Sequence, residues 1–316
     1  MTTTLLATMR DEAPFILEWV AYHRLIGFEK IIVFSNDCTD GTDEILNALH
    51  AIEAISHVAH EPDPTIKVAE QVGRHVLNNG MIAPGDWMIW LDADEFLNIH
   101  LGDGYTSDLI TYLQKHDAQG MCISWRVFGD AAQERFEGMF LAEPFTRAAA
   151  EGEAWQNVKT IFQYSDKVTE LFQHKPIFSP TFWSEGGTFQ SSKPMMMQRD
   201  NRLAQQWVKG FKRGKITPEE AGWGAAQINH YAVRTRPLFA FKQARGRIGE
   251  ANEGGKQRYN RAYFNGLNLN TAHDDSILKW TTPLRSEMAS LADQLTAHCN
   301  LEAVLRRTYA EFIDVK

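Results

Sequence analysis

Short apolar runs alternate with longer amphipathic stretches through the first hundred residues. Residues 4–9, 30–34, 54–58 and 87–91 are apolar or β-branched runs of strand length. Between the first two, Pro14 opens a stretch to Ile26 with Phe15, Trp19, Tyr22 and Ile26 on one helical face, and Gly27 stops it. Residues 42–50 and 65–77 predict two more helices, the second preceded by Pro62 and Pro64. Strands alternating with helices predict right-handed βαβ units and an α/β fold with a mainly parallel open sheet. Further on, 120–128, 158–164, 176–178 and 228–231 predict strands. Residues 129–157 mix Gly, Glu, Ala and aromatics and predict a mobile loop over the site. From Pro237 onward the pattern is helical and polar, with helices over 239–248 and 284–310 packed on the sheet.

The chemistry gathers where strands end. Asp92-Ala93-Asp94-Glu95 follows Trp87-Met88-Ile89-Trp90-Leu91. In an extended segment, Asp92 and Asp94 point to one side. Paired carboxylates there suit a hard divalent cation held against a phosphate. The alternative is an acidic surface turn, which so apolar a strand disfavours. Arg10-Asp11-Glu12 and Asn36-Asp37 end the first two strands, so all three clusters should line one sheet edge. Acids and amides there suit ribose hydroxyls and base N–H groups. The alternatives are helix capping by Arg10-Asp11-Glu12 and turn formation by Asn36, Asp37 and Asp40, with Asp40 or Thr42 capping the next helix. No G-x-G-x-x-G follows the first strand and no G-x-x-x-x-G-K-[ST] occurs, which leaves a divalent metal to neutralise phosphates.

Composition narrows the classes. With 316 residues, 44% hydrophobic, the chain can bury a large core. A net charge of -8 argues against wholesale nucleic-acid binding. No run approaches the length of a membrane span, and the N-terminus shows no signal peptide. Three scattered cysteines, Cys38, Cys122 and Cys299, suggest neither a disulfide framework nor a zinc site. The expected location is cytoplasmic, with peripheral association at the inner face of the membrane permitted. Nine tryptophans suit sugar stacking, although packing is their commoner use.

An ordered set of motifs resembles the bacterial family 2 glycosyltransferases, in the branch related to family 92. It comprises Met9-Arg10-Asp11-Glu12-Ala13-Pro14-Phe15-Ile16-Leu17-Glu18-Trp19, Tyr22-His23, Gly27, Asn36-Asp37-Cys38-Thr39-Asp40-Gly41-Thr42 and Trp90-Leu91-Asp92-Ala93-Asp94-Glu95-Phe96. The likeness returns at Lys159-Thr160-Ile161-Phe162, His174-Lys175-Pro176, Asn229-His230-Tyr231, Lys242 and Arg245-Gly246. Arg10 departs from it, since many relatives have an amide or lysine there. The resemblance implies a GT-A fold over 1–235 with a helical extension over 236–316. It also implies a nucleoside-diphosphate-sugar donor (UDP-sugar favoured), Mn2+ or Mg2+, and inversion at the anomeric carbon. The acceptor would be a glycan, lipid-linked or other hydroxyl, as in polysaccharide biosynthesis.

Carried over residue by residue, Asp94 and His230 would ligate the metal, and Asp92 would touch the ribose or a metal-bound water. Arg10, Glu12, Asn36 and Asp37 would contact the nucleotide, while Lys242, Arg245 and Arg247 would steady its diphosphate. On the residues alone, His230 reads equally as a hydrogen-bonded core histidine, and the basic run as a solvated helix face. Candidates for the base that inversion needs are Glu185, in Trp183-Ser184-Glu185-Gly186-Gly187, and Asp130 and Glu134; each also reads as an ordinary loop carboxylate. The rivals are a silent sugar-nucleotide-binding scaffold and an aspartyl-phosphate phosphatase, whose nucleophile usually ends the first strand rather than the fourth.

Overall fold

The computed structural model describes residues 1–136, 140–153, 157–197, 214–246 and 259–313. The apolar runs form β1 (Thr3–Met9), β2 (Lys30–Ser35), β3 (Ser56–Ala59) and β4 (Trp87–Trp90), joined through α1 (Ala13–Leu25), α2 (Thr42–Ala51) and α3 (Val68–Asn78). Side chains alternate between two cores. Leu5, Ala7, Ile31, Val33 and Ile89 face one, and Leu6, Ile32, Phe34, Met88 and Trp90 face the other. Covering both faces is why these runs are apolar throughout.

Next come β5 (Glu95–Ile99), α4 (Thr106–Lys115), β6 (Gly120–Val127), β7 (Arg147–Ala148), β8 (Val158–Gln163), β9 (Val168–Leu171), β10 (Pro176–Phe178) and α5 (Pro180–Ser184). β11 (Phe189–Ser191), β12 (Met195–Met197), β13 (Ala226–His230), α6 (Arg236–Arg245), α7 (Arg261–Leu267), β14 (Ala272–His273), α8 (Thr281–Leu295) and α9 (Leu301–Ile313) complete the chain. The main sheet runs β12-β11-β6-β8-β4-β1-β2-β3, with β13 pairing both β5 and β6.

The sheet is open and mainly parallel, as expected, with antiparallel members inserted. β3, β2, β1 and β4 are parallel, but β8 lies antiparallel between β4 and β6, and β13 antiparallel to β5. An apolar run shows that a strand is buried, not which way it points. β5 and α4 go unmarked in the sequence reading: β5 hides behind the acidic motif. The expected helix over 284–310 is two helices, because Asn300 starts α9 by accepting from the Ala303 N–H at 3.1 Å. Leu284, Met288, Leu291 and Leu295 of α8 join the core against α1. α9 lies over Gly41, whose φ of +90° and position 2.4 Å from Val304 Cγ1 to a would-be Cβ leave room only for glycine.

Within 129–157, the described residues are tied down. β7 pairs with β14, and Asp130 accepts from the side-chain amides of Asn268 and Asn270. The Glu18 carboxylate accepts from the Leu141 N–H at 2.7 Å. Among the described residues, no helix is long and apolar enough to cross a membrane.

Candidate active site

After Leu91 the chain does not stay extended. The Glu95 N–H donates to the Asp92 carbonyl at 3.0 Å, and the Asp92 N–H donates to Glu95 Oε2 at 2.9 Å, closing a turn over 92–95. A turn, not a strand, therefore brings the two aspartates together. Trp19 holds the turn from below, its indole N–H donating to the carbonyls of Asp92 and Glu95. β5 then runs antiparallel to β13 with Glu95 opposite His230. The Tyr231 N–H donates to the Asp94 carbonyl at 2.9 Å. This register delivers His230 Nε2 to 3.7 Å from Asp94 Oδ2 across more than a hundred residues of sequence.

Each aspartate meets its own ammonium. Lys159, fully buried on β8, places Nζ 3.0 Å from Asp92 Oδ2 and 3.0 Å from Glu95 Oε2. Lys242, on α6, places Nζ 2.5 Å from Asp94 Oδ2 and 3.1 Å from the Ala232 carbonyl. Burial pushes both aspartates up, but Lys159 at Asp92 and Lys242 with His230 at Asp94 more than reverse it. Both carboxyls lie below their ordinary range. Glu95 goes the other way, raised by burial beyond what Lys159 restores. One ammonium between two carboxylates thus keeps the charge on Asp92, the one that opens outward.

The turn faces a cavity of about 330 Å³, within the range of ligand sites. Thr8, Glu12, Asp92, Asp94, Trp125, Gln173, His174, His230, Lys242, Tyr259 and Tyr263 contribute to its walls, with residues 64–69 on one side. Trp125 packs against both histidine rings, 4.3 Å from His230 and 5.6 Å from His174 by centroid. Gln173 bridges Thr8 Oγ1 at 3.2 Å and Asp92 Oδ1 at 3.3 Å. Burial first, and then Lys159, lower His174 to about 4. Burial also lowers His230.

Of the expected site residues, Asp92, Asp94, His230, Lys242 and Glu12 converge here. Arg10, Asn36 and Asp37 do not line the cavity. Arg10 lies 3.7 Å from Asp11, and the Asn36 amide donates to Asp37 Oδ2 at 2.8 Å. Glu185 is also away from it, exposed at the end of α5 and paired with Lys167. Asp130 braces the 268–270 segment, and Glu134 is exposed. Arg245 ends α6, while Arg247 lies outside the described residues. The sequence pattern assigns no role to Lys159 or His174. Lys159 carried a signal, since a lysine inside an apolar strand needs a buried acid. His174 sits in a polar turn and carried none beyond the family likeness.

Asp94 and His230 fit a divalent ion. A cation about 2.1 Å from each donor spans their separation, because twice that length exceeds the 3.7 Å between them. His230 Nδ1 is buried without a hydrogen-bond partner among the described residues, which leaves Nε2 as the ring's interacting atom. The Lys242 ammonium already meets Asp94 Oδ2, so an ion there would share or replace that contact. No group of three or more His, Cys, Asp or Glu able to hold a metal occurs among the described residues, so further ligands would be phosphate or water oxygens.

The open α/β sheet thus presents an acidic pair at the end of its fourth strand, with the histidine that ends β13 beside it. The chain belongs to glycosyltransferase family 92, whose model matches residues 6–213. A family 92 protein of Ricinus communis is 29% identical over 96 residues, covering 30% of this chain and 16% of that protein. One of Oryza sativa subsp. japonica is 29% identical over 90 residues, covering 28% and 15%. The match thus spans about a sixth of these relatives' length. Among solved structures, S. aureus TarS 1-349 is similar at a TM-score of 0.37 and 10% identity, over 99% of this chain and 89% of that one. Its complex with UDP is similar at a TM-score of 0.33 and 14% identity, over 44% and 39%.

Proposed function

We propose that this chain transfers a sugar from a nucleoside-diphosphate-sugar to a hydroxyl acceptor, with inversion and with a divalent metal, Mn2+ or Mg2+. The observation that carries the reading is the convergence of Asp92, Asp94 and His230 on one cavity. Asp94 and His230 would hold the ion, with Asp92 reaching it through water or binding the ribose. Bound there, the ion supplies Lewis-acid stabilisation to the leaving diphosphate. Lys242, once released from Asp94, and Arg245 would meet the diphosphate. Glu12 would contact the nucleoside. UDP-sugar is the donor we favour, on the family likeness, and the acceptor class is a glycan, lipid-linked or other hydroxyl.

The test is a thermal-shift panel of nucleoside diphosphates and nucleotide-sugars, with and without Mn2+. A melting-temperature rise for one nucleotide only with metal supports the reading; saturation at a hundredfold the Kd adds about 2.7 kcal/mol. Asp94→Asn should keep the fold and lose turnover by about 10²–10³-fold, the scale of a removed transition-state electrostatic group. Wild-type turnover in that variant would overturn the assignment. Nucleotide binding without turnover in the wild type would mark a silent binding protein.

A further inference from the structure

Inversion needs a group to take the acceptor proton, and among the described residues the carboxylates at this cavity are engaged or buried. Asp92 is held by Lys159 and Gln173, and Asp94 by Lys242. Glu12 Oε2 faces Arg234 at 3.7 Å. Glu95 lies 0% exposed beneath the turn.

His174 differs. Its Nδ1 lies 2.9 Å from the Val158 carbonyl, and a carbonyl only accepts, so Nδ1 carries the ring proton. The neutral ring then has its lone pair on Nε2, which has no partner among the described residues, on a side chain that lines the cavity. The charged groups acting on the ring are Lys159, which disfavours its protonation, and Asp92, which favours it, with His230 a further neighbour. Asp92 is thus positioned to stabilise an imidazolium once it forms.

Resting on the transferase reading above, we infer that His174 is the general base that deprotonates the acceptor. The acceptor O–H proton passes to Nε2, and the oxygen's electron pair forms the new bond to the anomeric carbon. The bond from that carbon to the diphosphate oxygen breaks, its electron pair leaving on the diphosphate. Water takes the same path when no sugar acceptor is present, so hydrolysis of the donor reports on the base with the acceptor unidentified.

The experiment compares wild type with His174→Asn, whose side-chain amide can keep the bond to the Val158 carbonyl but has no group at the Nε2 position. UDP affinity in the presence of Mn2+ is read by calorimetry, and UDP release from a panel of UDP-hexoses gives kcat and KM. The expected result is unchanged UDP affinity and donor KM with kcat reduced about 10²-fold or more, the scale of a lost general base. Partial recovery of His174→Gly by added imidazole is also expected. A kcat within threefold of wild type in His174→Asn overturns the inference, as does UDP affinity that falls in step with rate, which would make His174 a binding residue. Asp94→Asn separates the two levels of failure. If that variant loses turnover while His174→Asn keeps it, the transferase reading stands and the base is elsewhere. If the wild type binds no nucleoside diphosphate of the thermal-shift panel and releases none from its sugars, both fall together.

Discussion

Two strand-end regions of this molecule are both acidic and behave in opposite ways. Beyond β1 and β2, Asp11 and Asp40 are consumed by the chain itself, and of these acids Glu12 alone lines the cavity. Asp11 Oδ1 accepts from the Thr39 N–H at 2.6 Å, Asp40 accepts from the N–H groups of Ala13 and Thr42, and Thr42 Oγ1 accepts from the Glu12 N–H. These bonds fasten one βα loop to the other and satisfy the first amides of α1. Beyond β4, Asp92 and Asp94 are met by cations from distant segments, Lys159 and Lys242, and open on a cavity. A carboxylate that caps backbone is spent on structure; one neutralised by a side-chain cation keeps charge and access. Counting acids at strand ends cannot separate the two, but asking where each carboxylate's partner comes from can.

The sharpest break of the comparison is Lys159→Met. It strands Glu95 fully buried, and Asp92 beside it, without their shared cation. Removing one partner of a buried pair costs about 3–5 kcal/mol, and a matching fall in the urea midpoint is expected. Adding Glu95→Gln should recover part of the loss through a coupling of at least about 0.5 kcal/mol. If Lys159→Met changes stability by only a few tenths, the cation is not what holds the turn. At the other region, Asp40→Ala should cost about 1–2 kcal/mol, the worth of a cap. Donor hydrolysis per folded molecule should not change, and a loss of rate there would erase the distinction.

Glu18 is an acid of the first kind taken to its limit. It is buried and accepts from backbone N–H groups of Leu141 and Ala142. Burial raises it from 4.5 to about 8, against those amides and Arg234. Because the folded state holds this proton more tightly than the unfolded one, stability contributed here falls as pH rises from about 4.5 through about 8, and is level above. Glu18→Gln should flatten that slope in urea titrations between those values. A slope identical to wild type would show that another group sets it.

How far the sequence foretold this depends on distance. The β4 motif was legible because an apolar strand and its acids are contiguous. His230 was legible only through the family likeness, since its place beside Asp94 depends on β5, a strand hidden behind the acids and paired antiparallel to β13. Lys159 stands opposite Ile123 of β6, and that antiparallel pairing is invisible in a run of apolar residues. Glu185 showed the converse failure: a glycine-flanked acid among aromatics reads as a site, yet Phe182 and Trp183 simply pack into the core beside it. Pattern specifies which faces are buried; strand direction and register decide which side chains meet.

The smallest predicted effect is the most discriminating for the β2 end. Asp37 is exposed, adopts a left-handed φ of 51° and accepts from the neighbouring Asn36 amide. Aspartate and asparagine are the non-glycine residues that best tolerate that backbone. Asp37→Asn therefore removes the charge without adding strain, so that any change reports on the charge alone. Because Asp37 does not line the cavity, UDP affinity should stay within about twofold and stability within about 0.5 kcal/mol, as for an ordinary surface substitution. A tenfold loss of UDP affinity in calorimetry would mean that this loop reaches the nucleotide. The β2 end would then belong with β4 among the ends that serve the ligand.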